Sequence, residues 1–119
     1  MPFSRALPRQ KKLLPGSEQD LQNACITFLQ YRQFLVMRMN SGMVKTENGS
    51  MVKLGAVGTP DVLAFRPATI DRPIEVYWFE IKKPGKKSTP IQKARQDELR
   101  AVGCKVYEIH SLEELSKVV

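Results

Sequence analysis

The chain has little from which to build a thiolate or imidazole centre: two cysteines, Cys25 and Cys104, and one histidine, His110, in 119 residues. None stands at metal-ligand spacing from another, so neither a zinc site nor a disulfide scaffold is expected. Both thiols read as small apolar residues inside regular elements, in a reducing compartment. No apolar run approaches the roughly 18 residues a membrane span requires. The N-terminus lacks the hydrophobic stretch of a secretory signal, so a cytoplasmic protein without membrane partners is expected. Acid is missing from two stretches. Residues 1–16 carry Arg5, Arg9, Lys11 and Lys12, and residues 82–95 carry Lys82, Lys83, Lys86, Lys87, Lys93 and Arg95. Together they hold 10 of the 19 basic residues and none of the 12 acidic ones, so the +7 net charge is concentrated there and the remainder sits at −3. Charge gathered in that way suits a polyphosphate partner, and nine of these side chains, all but Lys82, are candidate DNA contacts.

What is present is one domain's worth of ordinary globular composition, 42% hydrophobic and 26% charged. Residues 1–16, with three prolines and no periodicity, read as a basic arm preceding a domain over 17–119. Ser17 followed by Glu18 and Asp20 opens a helix, along which Glu18 projects on the side of Leu21, Cys25 and Leu29. Phe34–Met39 reads as a strand. Residues 40–58 read as a projecting β-ribbon whose Asn48-Gly49 signals a type I′ hairpin. Asp61–Phe65 and Glu75–Lys82 are apolar strands separated by a Pro-punctuated turn. A second helix runs from Pro90 to Val102 and stops at Gly103. Lys105–Ile109 is a further strand, and Ser111 to Glu114 form a capping box that opens a last helix. The strand-helix-strand crossover requires a parallel pair, while the earlier strands can pair antiparallel. A mixed central sheet flanked by helices, of α/β class, follows.

Two acidic points carry the chemistry. Asp61 is entered through Gly58-Thr59-Pro60, and Glu80 lies near the end of a very apolar strand with Lys82 two residues on, hence on the same face. Burying a carboxylate and an ammonium there is costly without a partner or a task. If the two strands are neighbours, Asp61 stands beside Glu80, and two adjacent carboxylates repel unless a cation relieves them. Oxygen ligands in a partly enclosed site suit Mg²⁺, with Mn²⁺ as a substitute. A metal-dependent phosphodiesterase is the expectation. The bland alternatives are a strand-end ion pair for Lys82 and a favourable helix-dipole charge for Glu18.

Pro60-Asp61, Glu80-Ile81-Lys82, Glu18 on the first helix and Gln92 at the start of the second together resemble the VRR-NUC family within the PD-(D/E)XK nucleases. The likeness spans about residues 17–115. It implies an αβββαβ restriction-endonuclease-like core and Mg²⁺-dependent cleavage of DNA in a bacterial or virus-infected bacterial cell. The implied site is Asp61, Glu80, Lys82, Glu18 and Gln92, with metal held by Asp61, Glu80, Glu18 and the Ile81 carbonyl. Stand-alone members of this size resemble homodimeric resolvases of four-way junctions, and members embedded in larger proteins act on flaps or restriction targets. A DNA-binding module without catalysis is the alternative from a different class.

Overall fold

The computed structural model describes residues 16–39, 43–53 and 56–119. Helix α1 (Glu18–Tyr31) starts where expected. The Ser17 hydroxyl accepts the Asp20 N–H at 3.0 Å and the Asp20 carboxylate accepts the Ser17 N–H at 3.1 Å, which satisfies two orphan donors reciprocally. Strand β1 (Leu35–Arg38) follows, then a hairpin of β2 (Met43–Lys45) and β3 (Met51–Lys53). Strands β4 (Val62–Arg66) and β5 (Glu75–Ile81), helix α2 (Pro90–Ala101), strand β6 (Lys105–Ile109) and helix α3 (Leu112–Val118) complete the chain. The order is the one read from the sequence, with element ends displaced by a residue.

The main sheet has the order β1-β4-β5-β6, antiparallel except for the β5–β6 pair, whose crossover contains α2. This is the mixed α/β sheet expected. Side chains alternate across it. Val62, Ala64, Tyr77, Phe79, Ile81 and Ile109 face one side and form the core with Cys25 and Leu29 of α1 and Leu115 of α3. Tyr77 stacks on Phe79 at 5.7 Å between ring centroids and takes Phe34 edge-on at 5.4 Å. Leu63, Trp78, Glu80, Val106 and Glu108 project from the other face, where α2 packs on β6. Burial pushes the Cys25 thiol up to about 12, which makes it an inert packing group. Cys104 lies in the α2–β6 connection, not within an element as expected.

Two local expectations need correction. Among the described residues β2 and β3 pair only with each other, and their turn is not type I′. That turn needs positive φ at both central residues, but only Gly49 has it, at 88°. Gly49 N–H bonds the Thr46 carbonyl and Thr46 N–H bonds the Ser50 carbonyl, so three residues form the loop. The Asn48 side chain accepts the Ser50 N–H at 3.1 Å, which favours this longer loop. The α3 cap is also only half a box. Ser111 Oγ accepts the Glu114 N–H at 3.1 Å, but the Glu114 carboxylate accepts the N–H of His110, one residue before the N-cap, at 2.7 Å.

Candidate active site

Register places the two acids together. Val62 pairs with Phe79, so Asp61, one residue earlier on β4, meets the end of β5 at Glu80 and Ile81. Asp61 Oδ2 accepts the Ile81 N–H at 3.0 Å and its carbonyl accepts the Met39 N–H at 2.7 Å, which ties it to both neighbouring strands. Pro60, fully buried, and Gly58, at φ 82°, set the approach. A Cβ at Gly58 would stand 2.8 Å from the Ile91 carbonyl oxygen, so only glycine lets this turn lie against α2.

Glu80 is 1% exposed. Its Oε2 lies 3.8 Å from Lys82 Nζ and accepts a long hydrogen bond from Gln92 Nε2 at 3.4 Å. Its Oε1 is buried without a donor. Burial first, then the charge of Asp61, pushes the Glu80 carboxyl up to about 8. Asp61 is raised too, chiefly by burial, although the Ile81 N–H and a hydrogen bond from Glu80 work in the opposite direction. Of the two acids, Glu80 is the one whose ionisation is held furthest back. A buried acid with an unpartnered oxygen beside a second carboxylate is costly to ionise without a neighbouring cation.

The other expected site residues are placed as follows. Gln92 is the third residue of α2, where it completes a capping box: Thr89 Oγ1 accepts the Gln92 N–H at 3.2 Å and Gln92 Oε1 accepts the Thr89 N–H at 2.9 Å. The amide is thereby held with its NH₂ toward Glu80. Glu18, part-buried at the start of α1, acts on Asp61 and Glu80 through its charge. Among the described residues no three His, Cys, Asp or Glu side chains gather as a metal cluster, so Glu18 is not brought into one with the pair. Ile81 offers its backbone to the site, since its side chain is core. Lys83, Lys86, Lys87 and Lys93 are exposed. Arg95 is engaged with Glu98 at 2.7 Å. Arg5, Arg9, Lys11 and Lys12 lie outside the described residues.

Sequence reasoning missed the polar cluster beside the basic loop. Glu108, register partner of Glu80, accepts from the Ser88 N–H at 2.8 Å and from the Ser88 hydroxyl, to which Gln96 donates in turn. His110 Nε2 lies 2.8 Å from the Lys86 carbonyl and 3.0 Å from Glu108 Oε2, and its Nδ1 lies 3.2 Å from Glu114. Next to Asp61 opens a cleft of about 250 Å³, lined by Val57, Gly58 and Thr59 of the preceding turn and by Thr89, Ile91 and Gln92 at the start of α2.

No known family model matches the chain, and no curated protein does. Among solved structures it is similar to one described as a VRR_NUC domain, with a TM-score of 0.61 and 20% identity over 85% of this chain and 91% of that one. The chain therefore shares the α/β fold of that domain. Among the described residues no helix is long and apolar enough to cross a membrane.

Proposed function

We propose that this chain is a Mg²⁺-dependent, structure-specific DNA endonuclease that resolves four-way (Holliday) junctions as a homodimer. One observation carries the reading: the buried Asp61–Glu80 pair, whose Glu80 Oε1 has no donor. That donor set fits a hard divalent cation. Asp61 and Glu80 would hold it with the Ile81 carbonyl, Glu18 would act at longer range, and the DNA phosphate would supply further oxygens, as is usual for Mg²⁺. When bound, the cation would supply Lewis-acid stabilisation of the scissile phosphate, and Mn²⁺ should substitute. Glu80 is held up at about 8 and would have to ionise to hold the cation, so affinity should rise with pH.

The chain's own residues do the rest. Gln92, fixed by the Thr89 cap, orients Glu80. Lys82, against Glu80 at 3.8 Å, is placed to offset negative charge that develops at phosphorus. Lys83, Lys86, Lys87 and Lys93 present exposed charge for the backbone, with Arg5, Arg9, Lys11 and Lys12 of the arm and Arg95 as further contacts. Paired cuts on symmetry-related strands need two sites, and a C₂ dimer supplies them. The β2–β3 ribbon, with Met51 exposed, is the proposed dimer contact or junction probe.

The test is cleavage of a four-way junction, a flap and a linear duplex with Mg²⁺, with Asp61→Ala alongside and light scattering on the same samples. Metal-dependent junction cleavage by a dimer, lost in Asp61→Ala, is expected. Preference for the flap or for fixed duplex sequences would redirect the substrate assignment. Binding without cutting would leave a DNA-binding module.

A further inference from the structure

The cleft beside Asp61 has apolar lips. Val57 is 44% exposed and Ile91 59% exposed, and both line one cavity that Asp61 and Gln92 also line. A site for a polyanion gains nothing from water-exposed aliphatic side chains where the phosphate runs. They are held there by construction: Gly58 lets the turn carrying Val57 approach the Ile91 carbonyl, closer than any other residue would allow. What a nucleic acid can offer two exposed aliphatic groups in one cavity is the flat face of a base or the sugar carbons. In a stacked duplex the base faces are covered by their neighbours. The cavity, about 250 Å³, is far larger than the roughly 30 Å³ share of one water and below the roughly 300–1,000 Å³ clefts of drug-sized ligands. It suits one nucleotide moiety.

Resting on the nuclease reading, we propose that Val57 and Ile91 clamp the unstacked nucleotide adjoining the scissile phosphate, so that the enzyme selects DNA whose strands are already open at the cut. Lifting a nucleotide from the stack costs least where pairing is already lost. A branch point meets that condition and an intact duplex does not. The occupant follows from continuity with the acidic pair: whatever fills a cavity lined by Asp61 and Gln92 is covalently next to the phosphate that Asp61 serves. Discrimination between branched and linear DNA is thereby assigned to two aliphatic side chains and not to the cationic loop, whose phosphate contacts carry no such information.

The experiment compares wild type, Ile91→Ser, Val57→Ser, the double variant and Ile91→Leu on an oligonucleotide four-way junction and a linear duplex of the same sequence. Cleavage rates with Mg²⁺ are measured first. Fluorescence of 2-aminopurine at the branch point is then measured with metal-free protein. The junction-to-duplex rate ratio should fall about tenfold in Ile91→Ser and further in the double variant, and Ile91→Leu should retain it. Wild type should raise the 2-aminopurine signal several-fold, and the serine variants should not. Circular dichroism of each variant guards against misfolding. Cutting whose junction-to-duplex ratio is the same in the folded double variant would overturn the clamp and leave the nuclease reading intact. A wild type that unstacks the probe but cuts neither DNA would break the nuclease reading and not the clamp.

Discussion

Strand β5 carries a glutamate at each end, and the two are treated in opposite ways. Glu75 lies among three cations: Arg66 at 3.1 Å, Arg72 at 3.7 Å and Lys105 at 3.4 Å. The Arg66 hydrogen bond, against some desolvation and with help from Lys105, holds its carboxyl below the ordinary range. Glu80, five residues along, is pushed up to about 8 by burial and by Asp61; it has one lysine at 3.8 Å, a long hydrogen bond from Gln92 on the same oxygen, and a second oxygen that no donor reaches. One strand thus contains an over-satisfied carboxylate and a starved one. A fold that can surround Glu75 with three cations could have done the same at Glu80. Starvation at one end and surplus at the other is how a structural charge differs from one kept ready for a ligand.

The largest test of that contrast is removal of each acid. Glu80→Ala should lower Mg²⁺-dependent cleavage by about 10³-fold or more, since a cation holding the transition-state charge is worth several kcal/mol. Glu75→Ala should leave cleavage near wild type and lower Tm, measured by circular dichroism. Glu80→Gln, which needs no cation, should erase the gain in Tm that Mg²⁺ gives the wild type. Equal cleavage losses in the Glu75 and Glu80 variants would dissolve the distinction.

Lys82 comes next. If it acts on developing charge, Lys82→Ala should cost about 10²–10³-fold in rate, as loss of one preorganised donor does. DNA affinity, read by gel shift, should fall only modestly, because the benefit appears in the transition state. An equal loss in both would make Lys82 another phosphate contact.

A smaller effect is expected at Gly58. Alanine there faces both a positive φ of 82° and the Ile91 carbonyl 2.8 Å from its Cβ. Gly58→Ala should cost about 1–3 kcal/mol in urea unfolding. Cleavage of the junction should fall too, because the turn that leads into Asp61 must withdraw from α2. Gly49→Ala, with an open surrounding, tests the φ cost alone.

Much of this was legible before any coordinates. Gly58-Thr59-Pro60-Asp61 before an apolar run and Glu80-x-Lys82 at the end of another bring the acids together once those strands are neighbours, because alternation then does the rest. Gly103, at φ 106°, ends α2 as its type demands. Pairings across long sequence separations were not legible. Nothing local to Glu108 says that it will hold Ser88, twenty residues away. Asn48-Gly49 misled in a physical way, since the Asn48 side chain bonds the Ser50 N–H and supports a three-residue loop. Gln92 was read as a site residue but not as the cap that aims it.

Glu108 sharpens the comparison, because it sits beside Glu80 across the β5–β6 ladder and on the same face. Burial alone would raise it, yet the Ser88 hydroxyl and N–H, then His110 and Lys93, leave it below the ordinary value. His110 is the adjustable part of that arrangement. Burial works against its charged form, but the Lys86 carbonyl, Glu114 and Glu108 outweigh this and hold its pKa above the ordinary value. Only the imidazolium can donate from both ring nitrogens, to Glu114 through Nδ1 and to the Lys86 carbonyl through Nε2. A group whose folded pKa is raised contributes stability that is full below its unfolded value, about 6.5 for histidine, and is lost as pH rises through the folded value. The anchored segment is the basic loop after Lys82. The His110 contribution, about 0.2–1 kcal/mol on the scale of a partly exposed ion pair, should therefore be lost as pH rises from about 6.5 through the raised folded value. Amide exchange at Lys86 and Lys87 should quicken over the same interval. His110→Gln, which keeps a donor but cannot charge, should flatten the exchange profile of the loop and leave the Glu80 site able to respond to Mg²⁺, while the fall in global stability due to Glu80 persists. An exchange profile unchanged in that variant would mean that the loop is held by Ser88 and Glu108 without the histidine.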